Sequence, residues 1–188
     1  PPHFGDRATL GGTIACNLSG PRRPYAGAAR DFVLGVRLIN GRGEIVNFGG
    51  QVMKNVAGYD VSRLMAGAMG ILGLLVEVSL KVLPVPETDL TVAMATSQGE
   101  AIEAMNRYAA RPLPLSAAAW MDGRTYLRLS GSEAGVGAAA RELGGDRMGT
   151  DEAAAFWESL REHRLDFFDE SDVLWRVSLP PATPALTW

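Results

Sequence analysis

Apolar and polar positions divide the chain into two blocks that meet near Pro84 to Thr88. In the first block, Phe32 to Ile39 and Glu44 to Phe48 are short apolar runs. The Asn40-Gly41-Arg42-Gly43 turn signal between them predicts an antiparallel hairpin. From Leu74 to Val82 the pattern alternates, placing Leu74, Val76, Val78, Leu80 and Val82 on one face and Glu77, Ser79 and Lys81 on the other, as in a strand buried on one side. Asp60 to Met65 reads as a helical turn capped by Asp60.

The second block follows the stiff Pro84-Val85-Pro86. Leu90 to Ala95 predicts a strand, and Ser97 with Glu100 forms a capping box that starts a helix running through Tyr108. Asp122-Gly123 is a tight-turn signal between strands Leu115–Met121 and Arg124–Leu129. A helix from Ser132 to Leu143 stops at Gly144-Gly145, another spans Asp151 to His163, and Val173 to Leu179 predicts a closing strand. The order β-α-β-β-α-α-β is ferredoxin-like with one extra helix. The fold class expected is α+β in both blocks.

With 188 residues, of which 47% are hydrophobic and 21% charged, the chain has ordinary globular composition with room for one good core or two small ones. A net charge of −3 gives no attraction to nucleic acid or an anionic membrane. The most apolar window, Met65 to Leu83, is interrupted by glycines, Glu77 and Lys81, so no transmembrane segment is expected. Cys16 alone excludes an internal disulfide and fits a reducing, cytoplasmic setting. The Pro1-Pro2-His3 start has no signal-peptide pattern and reads as a cut end.

The densest chemical signal is ATLGGTIACNLSG, Ala8 to Gly20, followed by PRRPYAGAARD. Gly11 and Gly12 suggest a sharp turn with thin backbone that opens a short helix, and Cys16 suits a small buried gap. First-turn amides would offer donors to an anionic or polar ligand edge. Read alone, such a turn is as readily a tight packing crossing.

These residues, with Arg30-Asp31-Phe32-Val33-Leu34-Gly35, KNVAGYDVSRLMAGAMGILGLL (54–75), VSLKVLPVPE (78–87) and the later FWESLREHRLDFF, resemble the FAD-linked oxidase family of the p-cresol methylhydroxylase or vanillyl-alcohol oxidase type. Within it the likeness is to the E-type, FAD-binding subunits of bacterial glycolate oxidase. The resemblance implies that residues 1–86 are the C-terminal lobe of a PCMH-type FAD-binding domain whose first lobe is absent. Residues 87–188 would be a ferredoxin-like cap domain, truncated at its C-terminus.

It also implies FAD as cofactor. Thr9, Leu10, Gly11 and Gly12 would lie against the flavin ring or pyrophosphate, and Ala15, Asn17 and Gly20 would line the same wall. Gly27, Asp31 and Val33 would meet the adenosine half, and Gly70, Gly73, Leu74 and Leu75 would contribute backbone contacts. Relatives carry polar side chains near 68–71, where Ala68-Met69 and Ile71 stand here.

The partners implied are a homologous catalytic flavoprotein subunit, an iron-sulfur subunit and a small 2-hydroxy acid, in the cytoplasm or at the inner face of the membrane through the complex. A non-catalytic assembly subunit and a stand-alone 2-hydroxy-acid dehydrogenase are the other readings. Flavin-linked oxidation of a hydroxy acid needs a base and cations for the carboxylate. The sequence designates no catalytic residue. His3 lies in the lead segment, and His163 reads as a solvated helix end; the two make no metal site. Lys54 and Tyr59 are the first-block side chains open to substrate or flavin-edge work. Arg22 and Arg23 read as a solvated loop, and Phe156, Trp157, Leu160, Phe167, Phe168 and Trp175 as packing of the second block.

Overall fold

In the computed structural model, residues 4–50, 58–169 and 173–186 are described. They form two compact units, Pro1–Pro84 and Val85–Trp188.

In the first unit, helix α1 (Leu10–Ala15) and the short helix α2 (Arg23–Ala26) precede strands β1 (Val33–Ile39) and β2 (Ile45–Gly49), helix α3 (Val61–Leu64) and strand β3 (Leu74–Leu80). The three strands make an antiparallel sheet in the order β2-β1-β3. The hairpin turn is held by Asn40, whose Oδ1 accepts the backbone N–H groups of Arg42 and Glu44 at 2.9 and 3.0 Å. Asp60 caps α3 as expected, its carboxylate accepting the Arg63 N–H at 3.1 Å. Ile14, Ala29, Val33, Val36, Leu38, Met65 and Ala66 form the core, with Val46, Phe48, Leu75, Val78 and Leu80 packed against it.

β3 departs from the simple alternation. The pairing register shifts between Arg37↔Glu77 and Leu38↔Leu75, so Val76 bulges. The bulge turns Leu75 toward the core and leaves Leu74 and Val76 exposed, while Val82, beyond the strand, is exposed as well.

The second unit contains β4 (Thr88–Ala95), α4 (Gln98–Ala109), β5 (Leu115–Met121), β6 (Arg124–Gly131), α5 (Glu133–Leu143), β7 (Asp146–Arg147) and α6 (Thr150–Glu162). Its antiparallel sheet runs β5-β6-β4-β7, the ferredoxin-like order. The fourth strand is Asp146–Arg147; the described residues of Val173–Leu179, expected as a strand, have no regular structure and are largely exposed. The reason lies in β4, whose free edge is already paired through Val92↔Arg147 and Ala93↔Asp146 as the chain leaves α5 at Gly144-Gly145.

Val92, Leu127 and Leu129 point to the α5 side and join Val136, Ala139, Ala140 and Leu143 in a dry core. Strand alternation sends Thr91 and Tyr126 to the opposite face. There α6 docks, with Trp157 Nε1–H donating to Thr91 Oγ1 at 2.9 Å and the Phe156 ring stacked on Tyr126 at 4.2 Å. Thus Trp157 is core as expected, whereas Trp175 is 83% exposed and Phe167 58%. Those two belong to no common core with it.

The capping box on α4 is complete: Ser97 N–H donates to Glu100 Oε2 at 2.8 Å and the Ser97 hydroxyl does so at 2.7 Å. These bonds, the backbone one first, hold the Glu100 carboxyl below its ordinary range. A depressed carboxylate stabilises the fold above its unfolded value of about 4.3 and loses that effect as pH falls through the folded value. Amide protection in the first turn of α4 is therefore expected to drop on acidification from pH 6 to pH 3 in the wild type and to change little in Glu100→Gln. Equal pH responses in the two proteins would contradict the assignment.

Candidate functional site: a thin apolar wall

α1 exists because Thr9 caps it. Its Oγ1 accepts the Gly12 N–H at 3.0 Å and its carbonyl accepts the Thr13 N–H at 2.9 Å. Gly11 and Gly12 are therefore residues inside the first helical turn, at negative φ, and not the sharp turn the glycine pair suggests. The Gly12 amide is consumed by the cap. Helix geometry leaves Leu10 and Gly11 as the first-turn amides with no acceptor inside the helix.

Only Ile14 of α1 is buried. The helix ends at Cys16, and Asn17 takes the left-handed conformation, φ 52°, that often terminates helices. Cys16 is exposed, contrary to the buried thiol expected, because Ile14 occupies the inward position of this short helix.

The loop at 66–70 is stitched to this helix end. Gly67 N–H donates to the Ile14 carbonyl at 3.1 Å, and Met69 N–H to the Ala15 carbonyl at 2.8 Å. These bonds set Ala15 and Asn17, at the C-terminal end of α1, beside the loop that leads to Gly70, while Thr9, Leu10, Gly11 and Gly12 form the other end of the same helix. A Cβ at Gly11 or at Gly70 would meet nothing within 4 Å, so both present bare backbone to open space. Leu10, Met69, Ile71 and Leu72 are exposed around them. The result is a thin surface with exposed apolar side chains.

Other expected contacts have reasons inside the chain. A Cβ at Gly73 would meet the Ile39 carbonyl at 2.8 Å, and one at Gly27 would meet the Asp31 carboxylate at 3.1 Å, so both glycines serve close packing of the chain on itself. The Asp31 carboxylate accepts the Ala28 N–H at 2.8 Å. Val33 is buried in the core, Leu74 is exposed, Leu75 packs inward, and the Gly20 carbonyl accepts the Arg23 N–H. Burial raises the Tyr25 phenol above its ordinary value, keeping it neutral.

Two partners escaped the sequence reading. Ser19 Oγ accepts the Ala29 N–H at 2.9 Å, and the Arg30 guanidinium donates to the Ala66 carbonyl at 3.2 Å. Neither carries a sequence signal, since both contacts join distant segments.

Tyr59 is 94% exposed, and Lys54 lies outside the described residues. His163 is the left-handed C-cap of α6, exposed, with its ring stacked on Phe168 at 4.6 Å. Among the described residues no cluster of His, Cys, Asp and Glu could hold a metal ion, and no helix is long and apolar enough to cross a membrane. Within the second unit a cavity of ≈ 500 Å³ is lined by Trp120, Met121, Phe156, Leu160 and Phe168, with Gln98 and Asp122 as its polar members.

A flat ring with apolar faces needs bare backbone and apolar side chains to lie against, and the wall at α1 and Gly70 has both. The wall therefore has the surface chemistry that one face of such a ring requires. Residues 1–49 match the family described as FAD binding domain. Across 99% of its length it is 48% identical to "Glycolate oxidase subunit GlcE" of Escherichia coli (strain K12), covering 52% of that protein. It is 41% identical over 45% of its length to "Glycolate oxidase subunit GlcD" of Bacillus subtilis (strain 168), covering 18% of it. The chain thus spans about half the length of the first of these relatives and less of the second. Among solved structures, an alkyldihydroxyacetonephosphate synthase superposes with a TM-score of 0.63 at 17% identity, over 85% of this chain and 37% of that one, which supports the fold.

Proposed function

We propose that this chain belongs to an FAD-binding subunit of a glycolate, or 2-hydroxy acid, oxidase complex. The observation that carries the reading is the 48% identity to a glycolate oxidase subunit over nearly the whole chain, joined to a wall of bare backbone at Gly11 and Gly70 where flavin would rest. Bound FAD would supply the two-electron acceptor for oxidation of the hydroxyl-bearing carbon to a carbonyl. The chain's own part is positioning: Leu10, Met69 and Ile71 would exclude water from one ring face, and the Leu10 and Gly11 amides would meet a polar edge or phosphate. Gly20, Gly27, Asp31 and Val33 extend the proposed contact line toward adenosine.

The homologous catalytic flavoprotein, the iron-sulfur subunit, glycolate and a cytoplasmic setting at the inner face of the membrane belong to the same proposal. One observation favours a variant of it. The described wall holds no side chain suited to act as a base, which fits a subunit whose flavin relays electrons, or an assembly subunit, better than one that abstracts the substrate proton.

The test is reconstitution of the complex from separately purified subunits, with glyoxylate formation from glycolate as the readout. Turnover should depend on the subunit carrying this chain. A complex equally active without it would contradict the proposal. Restoration by a flavin-free form of the subunit would favour the assembly role.

A further inference from the structure

Three segments distant in sequence meet beside the wall, and one residue, Arg30, joins them. Arg30 donates its backbone N–H to Asn17 Oδ1 at 3.2 Å and an Nη2–H to the Ala66 carbonyl at 3.2 Å. The Ala66 residue is buried, and the Gly67 and Met69 N–H groups of its loop donate to the end of α1. Gly67 sits at φ 90°, and a Cβ there would meet Asn17 Cβ at 3.2 Å and come within 3.6 Å of Arg30 Nη2, so the clasp is closed tightly. Asn17 is itself held in the left-handed conformation by the end of α1.

Arg30 is an exposed residue standing over a core that is apolar without it. A guanidinium donates in a planar fork, so anchoring it to a carbonyl fixes that carbonyl's direction as well as its distance. The loop so fixed leads straight into Gly70, whose backbone faces open space.

We propose that Arg30, with Asn17, is a positioning residue for the cofactor wall: its bond to the Ala66 carbonyl sets the 66–70 loop at the spacing from α1 that FAD requires. This rests on the flavin reading given above. Arg30 acts here through Ala66 and Gly67.

The test uses the whole 188-residue chain, wild type, Arg30→Ala and Arg30→Lys, titrated with FAD while amide resonances are followed, and with hydrogen exchange measured on the cofactor-free proteins. Loss of one charge-assisted hydrogen bond should weaken FAD binding about tenfold in Arg30→Ala. Exchange at Gly67 and Met69 should accelerate by a similar factor, while β1 amides stay protected. Arg30→Lys, which keeps a donor but loses the fork, should recover part of both effects.

The proposal is overturned if Arg30→Ala exchanges faster at Gly67 and Met69 yet binds FAD within twofold of wild type, which would make the clasp structural only. Unchanged exchange at those amides would overturn it as well. If the wild type itself shows no FAD-dependent shifts, the flavin reading fails and the positioning role fails with it; the wild-type arm separates that outcome from the others.

Discussion

Gly49→Ala should unfold the first unit at temperatures where the wild type is folded. Gly49 ends β2 at φ 70°, paired with Gly35 of β1. An added Cβ would stand inside contact distance of the Leu34 carbonyl and the Ser62 hydroxyl, and 3.0 Å from Gly35 Cα. Ser62 is 2% exposed and the other two obstacles are backbone, so none can swing away. The left-handed conformation costs an alanine about 1 kcal/mol, and overpacking against fixed atoms adds roughly 1–3 kcal/mol. For a unit of this size each kcal/mol lowers the midpoint by about 4–8 °C, so a fall of roughly 10 °C or more is expected. Thermal unfolding followed through the β1 and β3 amides checks it. A midpoint within 2–3 °C of wild type, about half a kcal/mol, would show that the crossing of β2, β1 and α3 is looser than described.

Leu127→Ala should have an effect of the same order in the second unit. Leu127 is 0% exposed at the centre of β6, between β5 and β4, and packs with Val92, Leu129, Val136 and Leu143. Truncation removes buried methyl groups and leaves a cavity that strands on both sides keep from collapsing, at a cost of about 3–4 kcal/mol. Leu115→Ala is the control, because Leu115 lies on the edge strand β5 and is only partly buried. Chemical denaturation should show Leu127→Ala losing at least twice as much stability as Leu115→Ala. Equal losses would move the centre of this core away from β6.

The parts of the fold that could be read in advance are those decided within a few residues. The Asp122-Gly123 hairpin is one, with both residues at positive φ, and the Ser97 to Glu100 capping box is another. Distant competition decided the rest. Val173–Leu179 has the apolar composition of a strand, yet Asp146–Arg147, two charged residues with no periodicity, take the edge of β4 because the chain passes there first. The β3 alternation fails at Val76 because its register depends on β1, some 40 residues earlier, as strand pairing commonly does.

The site divides in the same way. Small residues at 8–20 and 66–73 announce thin backbone, but the sequence does not say what approaches it. In the structure Gly73 faces the chain itself, at Ile39, whereas Gly11 and Gly70 face open space. The Arg30–Ala66 bond spans 36 positions and leaves no local trace.

The proposed flavin surface is the wall of α1 and Gly70. This chain alone is expected to hold FAD weakly, which favours titration followed by amide shifts over isolation of a yellow protein. Adding FAD to the 188-residue chain should move the resonances of Gly11, Gly12, Asn17 and Gly70 together, on one binding curve, and leave β4 and β6 unmoved. Shifts confined to the Trp120 and Phe156 cavity of the second unit, or no shifts at all, would contradict it.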